Sequence, residues 1–214
     1  THAGHGIYGE ATGKKVIYRV IADCHAIENK INDEWLVRDQ GAIVRQLGTT
    51  PVDYTRSLIL AEGGPDSCSK PFNPEDDIKG PYIERGNSNE WGKKYAAALS
   101  DIMNADFTSI RQNYDRAVLA ELPGGRTAYS YDGIDDIWME LRAYFQNAKF
   151  EMHHTIGLDE KMLSPRSAIR WSLSGKHDGL GAFGKPTGAD VYIMGISHAE
   201  FGPRGIRREF TVFD

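Results

Sequence analysis

Lys176–Asp214 reads KHDGLGAFGKPTGADVYIMGISHAEFGPRGIRREFTVFD, and 175 residues earlier Thr1–Asp39 reads THAGHGIYGEATGKKVIYRVIADCHAIENKINDEWLVRD. The two stretches align without a gap and share His2/His177, Gly4/Gly179, Gly6/Gly181, Gly9/Gly184, Thr12/Thr187, Gly13/Gly188, Ile31/Ile206, Glu34/Glu209 and Asp39/Asp214. Copies this far apart describe two structural units of one kind, not a short-period solenoid. Each copy runs from a glycine-rich stretch into two strands. In the first, Val16, Ile17, Tyr18, Val20 and Ile21 mark a strand within Lys14–Cys24, Glu28-Asn29-Lys30 a reversal and Ile31–Arg38 the returning strand. The stretch before Lys176 has no counterpart before Thr1, so the first unit is expected as a back half only, completed from outside this chain or by a partner copy.

Working outward, Gly41–Leu47 reads as a short helix stopped at Gly48, and Val52–Ala61 as a second after Pro51. Glu62–Asn87 is rich in Gly, Pro, Ser and Asp without apolar period and reads as a linker. Trp91, Tyr95, Ala98, Leu99, Ile102 and Met103 then fall on one helical stripe, and Phe107, Ile110 and Tyr114 begin another. Ala117–Glu121 suggests a short strand ending at the Pro123-Gly124-Gly125 turn. Ile134, Ile137, Trp138, Leu141, Tyr144 and Phe145 give the clearest helix, with Asp132, Asp135 and Asp136 at its positive end. Strands follow at Phe150–Ile156, Ser167–Ser174, Val191–Phe201 and Ile206–Phe213. Helices first and antiparallel strands last make an α+β unit. The expected division is 1–48 (back half of a first unit), 49–87 (linker with a short helix) and 88–214 (a second unit).

The formal charge of −5 over 214 residues gives no pull toward nucleic acid or anionic membrane, and no apolar run approaches the ~20 residues of a membrane span. Cys24 and Cys68 are too few for a disulfide scaffold or a cysteine zinc site and read as plain thiols of a reducing compartment, hence a cytoplasmic protein.

Gly4-x-Gly6-x-x-Gly9 and Gly179-x-Gly181-x-x-Gly184 spell a dinucleotide fingerprint, but they lead into a Thr-Gly turn and a strand rather than a helix N-terminus. Loop glycines are the better reading. Adjacent strand residues His153 and His154 point to opposite faces and cannot share a metal, so neither metal nor cofactor is expected. On the later strands Ile169, Trp171 and Leu173 alternate with Arg170 and Ser172, and His198 and Glu200 share a face with Tyr192, Met194 and Ile196. His198 reads either as a poised acid/base or as a core histidine with one satisfied hydrogen bond. Glu209 reads either as a carboxyl of raised pKa in an apolar pocket or as a solvated edge charge beside Arg207 and Arg208. Trp138, Tyr144 and Phe145 read as core.

The pattern IRWSLSGKHDGLGAFGKPTGADVYIMGISHAEF, followed by GIRREFTVFD, resembles the SnoaL-like polyketide cyclase (ester cyclase) family of the NTF2-like superfamily. The earlier KINDEWLVRDQGAIVRQLG is similar to that family's closing strand and terminal helix. The resemblance implies an NTF2-like cone: a curved antiparallel sheet wrapped on helices around an apolar pocket, here as two tandem units. It also implies a hydrophobic small-molecule ligand, no cofactor, and pairing as a homodimer or an intrachain pseudo-dimer. If the chain is an enzyme, the resemblance points to proton transfer of cyclase, isomerase or hydratase type. His198 and Asp214 are then the catalytic candidates, and Arg170, Trp171, His177, Tyr192, Met194, Glu209 and Trp138 line the ligand. The family's last-strand Asp aligns with Leu36 after Trp35 and with Thr211 after Phe210. That departure motivates the rival reading, a non-catalytic ligand-binding or interaction module.

Overall fold

Val20–Ile27 (β1) and Lys30–Arg38 (β2) form an antiparallel hairpin. It turns through Glu28 and Asn29, both at positive φ (50° and 59°), the two-residue geometry that matches strand twist. The computed structural model describes residues 1–78, 86–181 and 183–214. The first strand begins later than its β-branched run suggests, because residues 14–19 lie outside the ladder and are held by scattered bonds such as His2 N–H to Lys14 O and Ile17 N–H to Gln46 Oε1. Gln40–Leu47 (α1) is capped by the Asp39 carboxylate and ended by Gly48 at φ 99°, and Pro51–Ala61 (α2) is capped by Thr50. Part of the expected linker, residues 79–85, lies outside the described residues.

The remaining elements are Glu90–Met103 (α3), Thr108–Asn113 (α4), Tyr114–Leu122 (β3), Arg126–Tyr129 (β4), Ser130–Tyr144 (α5), Lys149–Leu158 (β5), Arg166–Lys176 (β6), Asp190–Gly202 (β7) and Gly205–Phe213 (β8). Strands β3 to β8 make one curved sheet in the order β4-β3-β8-β7-β6-β5. It is not wholly antiparallel, as β3 runs parallel to β8. Tyr114, expected to continue a helix, instead opens β3. The α4 turn is correspondingly short. The inner sheet face carries Ile169, Trp171, Leu173, Ile193, Ala199, Phe201 and Ile206, packed on Tyr95, Leu99 and Ile102 of α3 and on Ile134, Trp138 and Leu141 of α5. Burying each such side chain contributes roughly 1.5–3 kcal/mol, which makes this layer the source of the fold's stability.

The repeat is written into the geometry. Every β1–β2 pair recurs in β7–β8 at the same offset, from Val20↔Arg38 and Gly195↔Phe213 to Ile27↔Lys30 and Gly202↔Gly205, with a bulge at His25/Ala26 and at Glu200/Phe201. The glycine loops recur as well. Gly6↔Gly9 and Gly181↔Gly184 form matching bridges, and His2 Nδ1 and His177 Nδ1 lie 3.1 Å and 3.2 Å from Thr12 Oγ1 and Thr187 Oγ1. These glycines shape a hairpin loop.

The β1–β2 hairpin forms its own two-stranded sheet and lies on the outer face of the large one. Val37 packs with Ile196, Val212, Ile21 and Met194. Arg19 pairs with Glu121, and the buried Asp39 carboxylate accepts the N–H groups of Gly124 (3.0 Å) and Gly125 (2.9 Å) as well as Ala42 (3.0 Å). One carboxylate thus caps a helix and clasps the β3–β4 turn.

Candidate functional site in the cone

Two polar clusters stand on opposite faces of the sheet. The inner one centres on Glu209 of β8, whose side chain is fully buried. Tyr114 donates its hydroxyl to Glu209 Oε2 at 2.5 Å, and Thr211 Oγ1 stands 2.7 Å from Oε1 and 2.9 Å from Ser197 Oγ. Trp171 Nε1 donates to Ser197 Oγ at 3.0 Å. Thr211 Oγ1 thus links the Ser197 hydroxyl, which takes the Trp171 indole N–H, to the Glu209 carboxyl. Tyr95 Oη faces the same carboxyl, while Tyr95 Oη and Trp138 Nε1 are both buried without a well-formed hydrogen bond. Burial pushes the Glu209 pKa up, and hydrogen bonds from Tyr114, Thr211 and Tyr95 offset only part of that. Burial and the facing carboxyl hold Tyr95 and Tyr114 protonated, well above the ordinary tyrosine range.

Side chains fill this interior: Tyr95, Tyr114, Trp138 and Trp171 are each at most 1% exposed. A hollow of about 510 Å³ lies between the C-terminal ends of α3 and α5 and the start of β5. Met103, Arg142 and Phe150 are among its walls, and the Phe150 ring packs 5.9 Å from the ring of Trp171. Phe150 thus borders both the hollow and the Trp171 ring.

The outer cluster lies between the sheet and the hairpin. Asp23 accepts from Arg170 Nε at 3.0 Å and stands 2.9 Å from His154 Nδ1, while the Arg170 guanidinium lies 4.4 Å from the Trp35 ring centroid. Burial raises the Asp23 pKa, but His154 and Arg170 outweigh it and hold the carboxyl below its usual range. His153 Nε2 is 2.7 Å from Ser172 Oγ, and Tyr192 donates to Asp77. Burial lowers the His198 pKa, with Asp23 opposing. Here too the repeat recurs, because Asp23 and His198 occupy equivalent places.

The nine residues singled out from sequence do not converge. Trp138, Trp171 and Glu209 meet in the cone. Arg170, Tyr192, Met194 and His198 face the hairpin on the other side of the sheet, so the expectation that His198 shares a pocket with Glu209 and Trp171 is corrected. Asp214 also lies on that outer side, at the chain's end, taking Gln40 Nε2 at 3.2 Å. Partial burial raises its pKa, with Gln40 opposing and Asp39 adding to it. His177 sits in the loop before β7, its ring 6.0 Å from that of Phe145, its Nε2 buried without a partner. Sequence reasoning missed Tyr95, Tyr114 and Ser197 inside, and Asp23, His154 and Trp35 outside. Tyr95 had been read only as a core stripe residue, and nothing in its spacing distinguishes the two roles. Among the described residues no group of acidic, histidine and cysteine side chains could hold a metal, and no helix is long and apolar enough to cross a membrane.

No protein-family model matches the sequence, and no curated protein does. Among solved structures the chain is similar to IdmH of Streptomyces antibioticus, a candidate polyketide cyclase, at 15% identity and a TM-score of 0.48 over 59% of this chain and 93% of that one. It is similar to a SnoaL-like polyketide cyclase of Agrobacterium tumefaciens at 20% identity and 0.44, over 56% and 88%. A SnoaL-like cyclase candidate of Jannaschia sp. CCS1 gives 9% and 0.47, over 64% and 91%. Likenesses this distant transfer no activity, and the α+β cone, a curved sheet packed on helices, stands on this chain's own strand order and core.

Proposed function

We propose that this chain is a SnoaL-like protein that binds a hydrophobic small molecule in the cone of residues 88–214 and moves a proton on it through Glu209, without a cofactor. One observation carries the reading: a fully buried carboxyl of raised pKa ends a chain of hydrogen-bonded hydroxyls in an otherwise apolar interior. A core gains nothing in stability from such a group, since an apolar residue of that size would avoid the desolvation cost. A carboxyl poised closer to neutrality is a competent base toward a carbon acid and a competent acid toward the resulting enolate. The Tyr95 hydroxyl, held protonated and without a well-formed hydrogen bond, is the donor that would stabilise developing negative charge on the ligand oxygen. We give His198, for which the sequence leaves an acid/base and a core reading open, no part in this proton transfer.

The test uses aromatic ketones and β-keto esters as probes. The chain is expected to exchange the acidic carbon-bound hydrogens of a bound probe with deuterium from solvent, seen by NMR, and Glu209→Gln is expected to bind but not exchange. Exchange unchanged in Glu209→Gln, or no binding across the set, contradicts the proposal. A second reading, a non-catalytic interaction module, is favoured by the filling of the cone by Trp138, Trp171, Tyr95 and Tyr114. It predicts no ligand at any concentration.

A further inference from the structure

The hairpin β1–β2 leaves uncovered what its counterpart β7–β8 has covered. Strand β7 is flanked by β6 and strand β8 by β3, whereas among the described residues β1 and β2 pair only with each other. On the face turned away from the large sheet, Val20, Ile31 and Leu36 are 42%, 62% and 38% exposed. Their equivalents Gly195, Ile206 and Thr211 are buried beneath the α3 and α5 layer. Glu34, the counterpart of the buried Glu209, lies open on the same face with Cys24 Sγ 3.5 Å from its Oε1.

A second, independent mark is Asp214. Its backbone is held as that of Asp39 is: Asp39 N–H bonds Arg19 O at 3.0 Å and Asp214 N–H bonds the equivalent Met194 O at 3.1 Å. The Asp39 carboxylate clasps the Gly124-Gly125 turn, while the Asp214 carboxylate takes only the Gln40 side chain among the described residues.

We propose that the open face and both open edges of the β1–β2 hairpin, together with the Asp214 carboxylate, form a docking surface for a polypeptide segment built like residues 88–175 of this chain. In the docked state its helices cover Val20, Ile31 and Leu36, its strands extend both hairpin edges, and a glycine turn donates two N–H groups to Asp214. Glu34 becomes the interior carboxyl of a second cone. The sequence repeat sets this chemistry, because it shows what covers the same face at the other end of the chain.

The probe is a chain in which residues 88–175 are placed directly ahead of Thr1, the join that keeps the repeat in phase. Backbone amide exchange in β1 and β2 is expected to slow at least about tenfold relative to the 214-residue chain. Leu36→Asp, on an exposed position the 214-residue fold tolerates, removes that protection and leaves exchange in β5–β8 unchanged. Asp214→Ala releases the amides of the added Gly-Gly turn alone. Unchanged β1 and β2 exchange in the extended chain overturns the proposal. So does a 214-residue chain that is already dimeric by light scattering, with β1 and β2 protection lost on dilution, since a second copy would then be the occupant.

Discussion

At the scale of single residues, Glu209 decides what the cone can do. Its folded pKa lies above its unfolded one, so its contribution to stability is fully present below the ordinary value of about 4.3 and is lost as pH rises through the folded pKa. Glu209→Gln should therefore flatten the fall in melting temperature with rising pH in the acidic-to-neutral range, as scanning calorimetry would show; an unaltered profile would mean that Glu209 does not titrate as claimed. Glu209→Ala goes further, leaving the Tyr114 and Thr211 hydroxyls without their acceptor, and should cost about 3 kcal/mol. Gly195 is a second decisive position. A methyl group there would intrude on the Trp171 ring, so Gly195→Ala should displace the indole from Ser197 and shift tryptophan emission, whereas an unshifted spectrum would show that the ring has room. The sequence named Glu209 with two readings, and adjacency to Arg207 and Arg208 argued for the solvated one. On a strand the adjacent residue takes the opposite face, which separates Arg208 from Glu209, and the bulge opposite Glu200/Phe201 frees Arg207, two residues back, to turn outward to Glu200.

At the scale of elements, the hairpin and β7 show what alternation can and cannot tell. The pattern correctly grouped Tyr192, Met194, Ile196 and His198 on one face of β7 but could not say which face was inner. Both faces are covered, one by helices and one by the hairpin, so both are apolar. The α1, α2, α3 and α5 helices were legible because caps and apolar stripes are local. The parallel β3–β8 pairing and the Asp39 clasp were not, because they join residues far apart in the chain. Asp39→Ala removes a helix cap and strands two glycine amides, and should cost about 2–3 kcal/mol, with amide exchange rising first in α1 and the β3–β4 turn. A uniform rise across the chain would contradict the clasp. Asp23 and His198 add a pH dependence opposite to that of Glu209. Both have folded pKa values below their unfolded ones, so the stability they contribute is full above the unfolded values and lost as pH falls through the folded ones. Hairpin docking should therefore loosen under acid. Asp23→Asn should remove much of that loosening, and an identical acid response in the variant would show that the hairpin is held by Val37 and its apolar neighbours instead.

At the scale of the whole molecule, a closed cone and a half-open hairpin share one chain. Phe150 borders both the hollow walled by Met103 and the Trp171 ring, and it is the entrance to the cone that we propose. Phe150→Ala should open the route and raise the association rate of a hydrophobic ligand at modest cost in stability. An unchanged rate would place the entrance elsewhere. The central claim is that the cone is a binding chamber rather than a solid core. Native mass spectrometry of the chain purified without added ligand tests this most directly. The account predicts a retained small molecule, or one taken up from the aromatic ketone and keto ester set at one per chain, with uptake altered by Phe150→Ala. A clean mass that no member of the set changes, in the native chain and in Phe150→Ala alike, would contradict it.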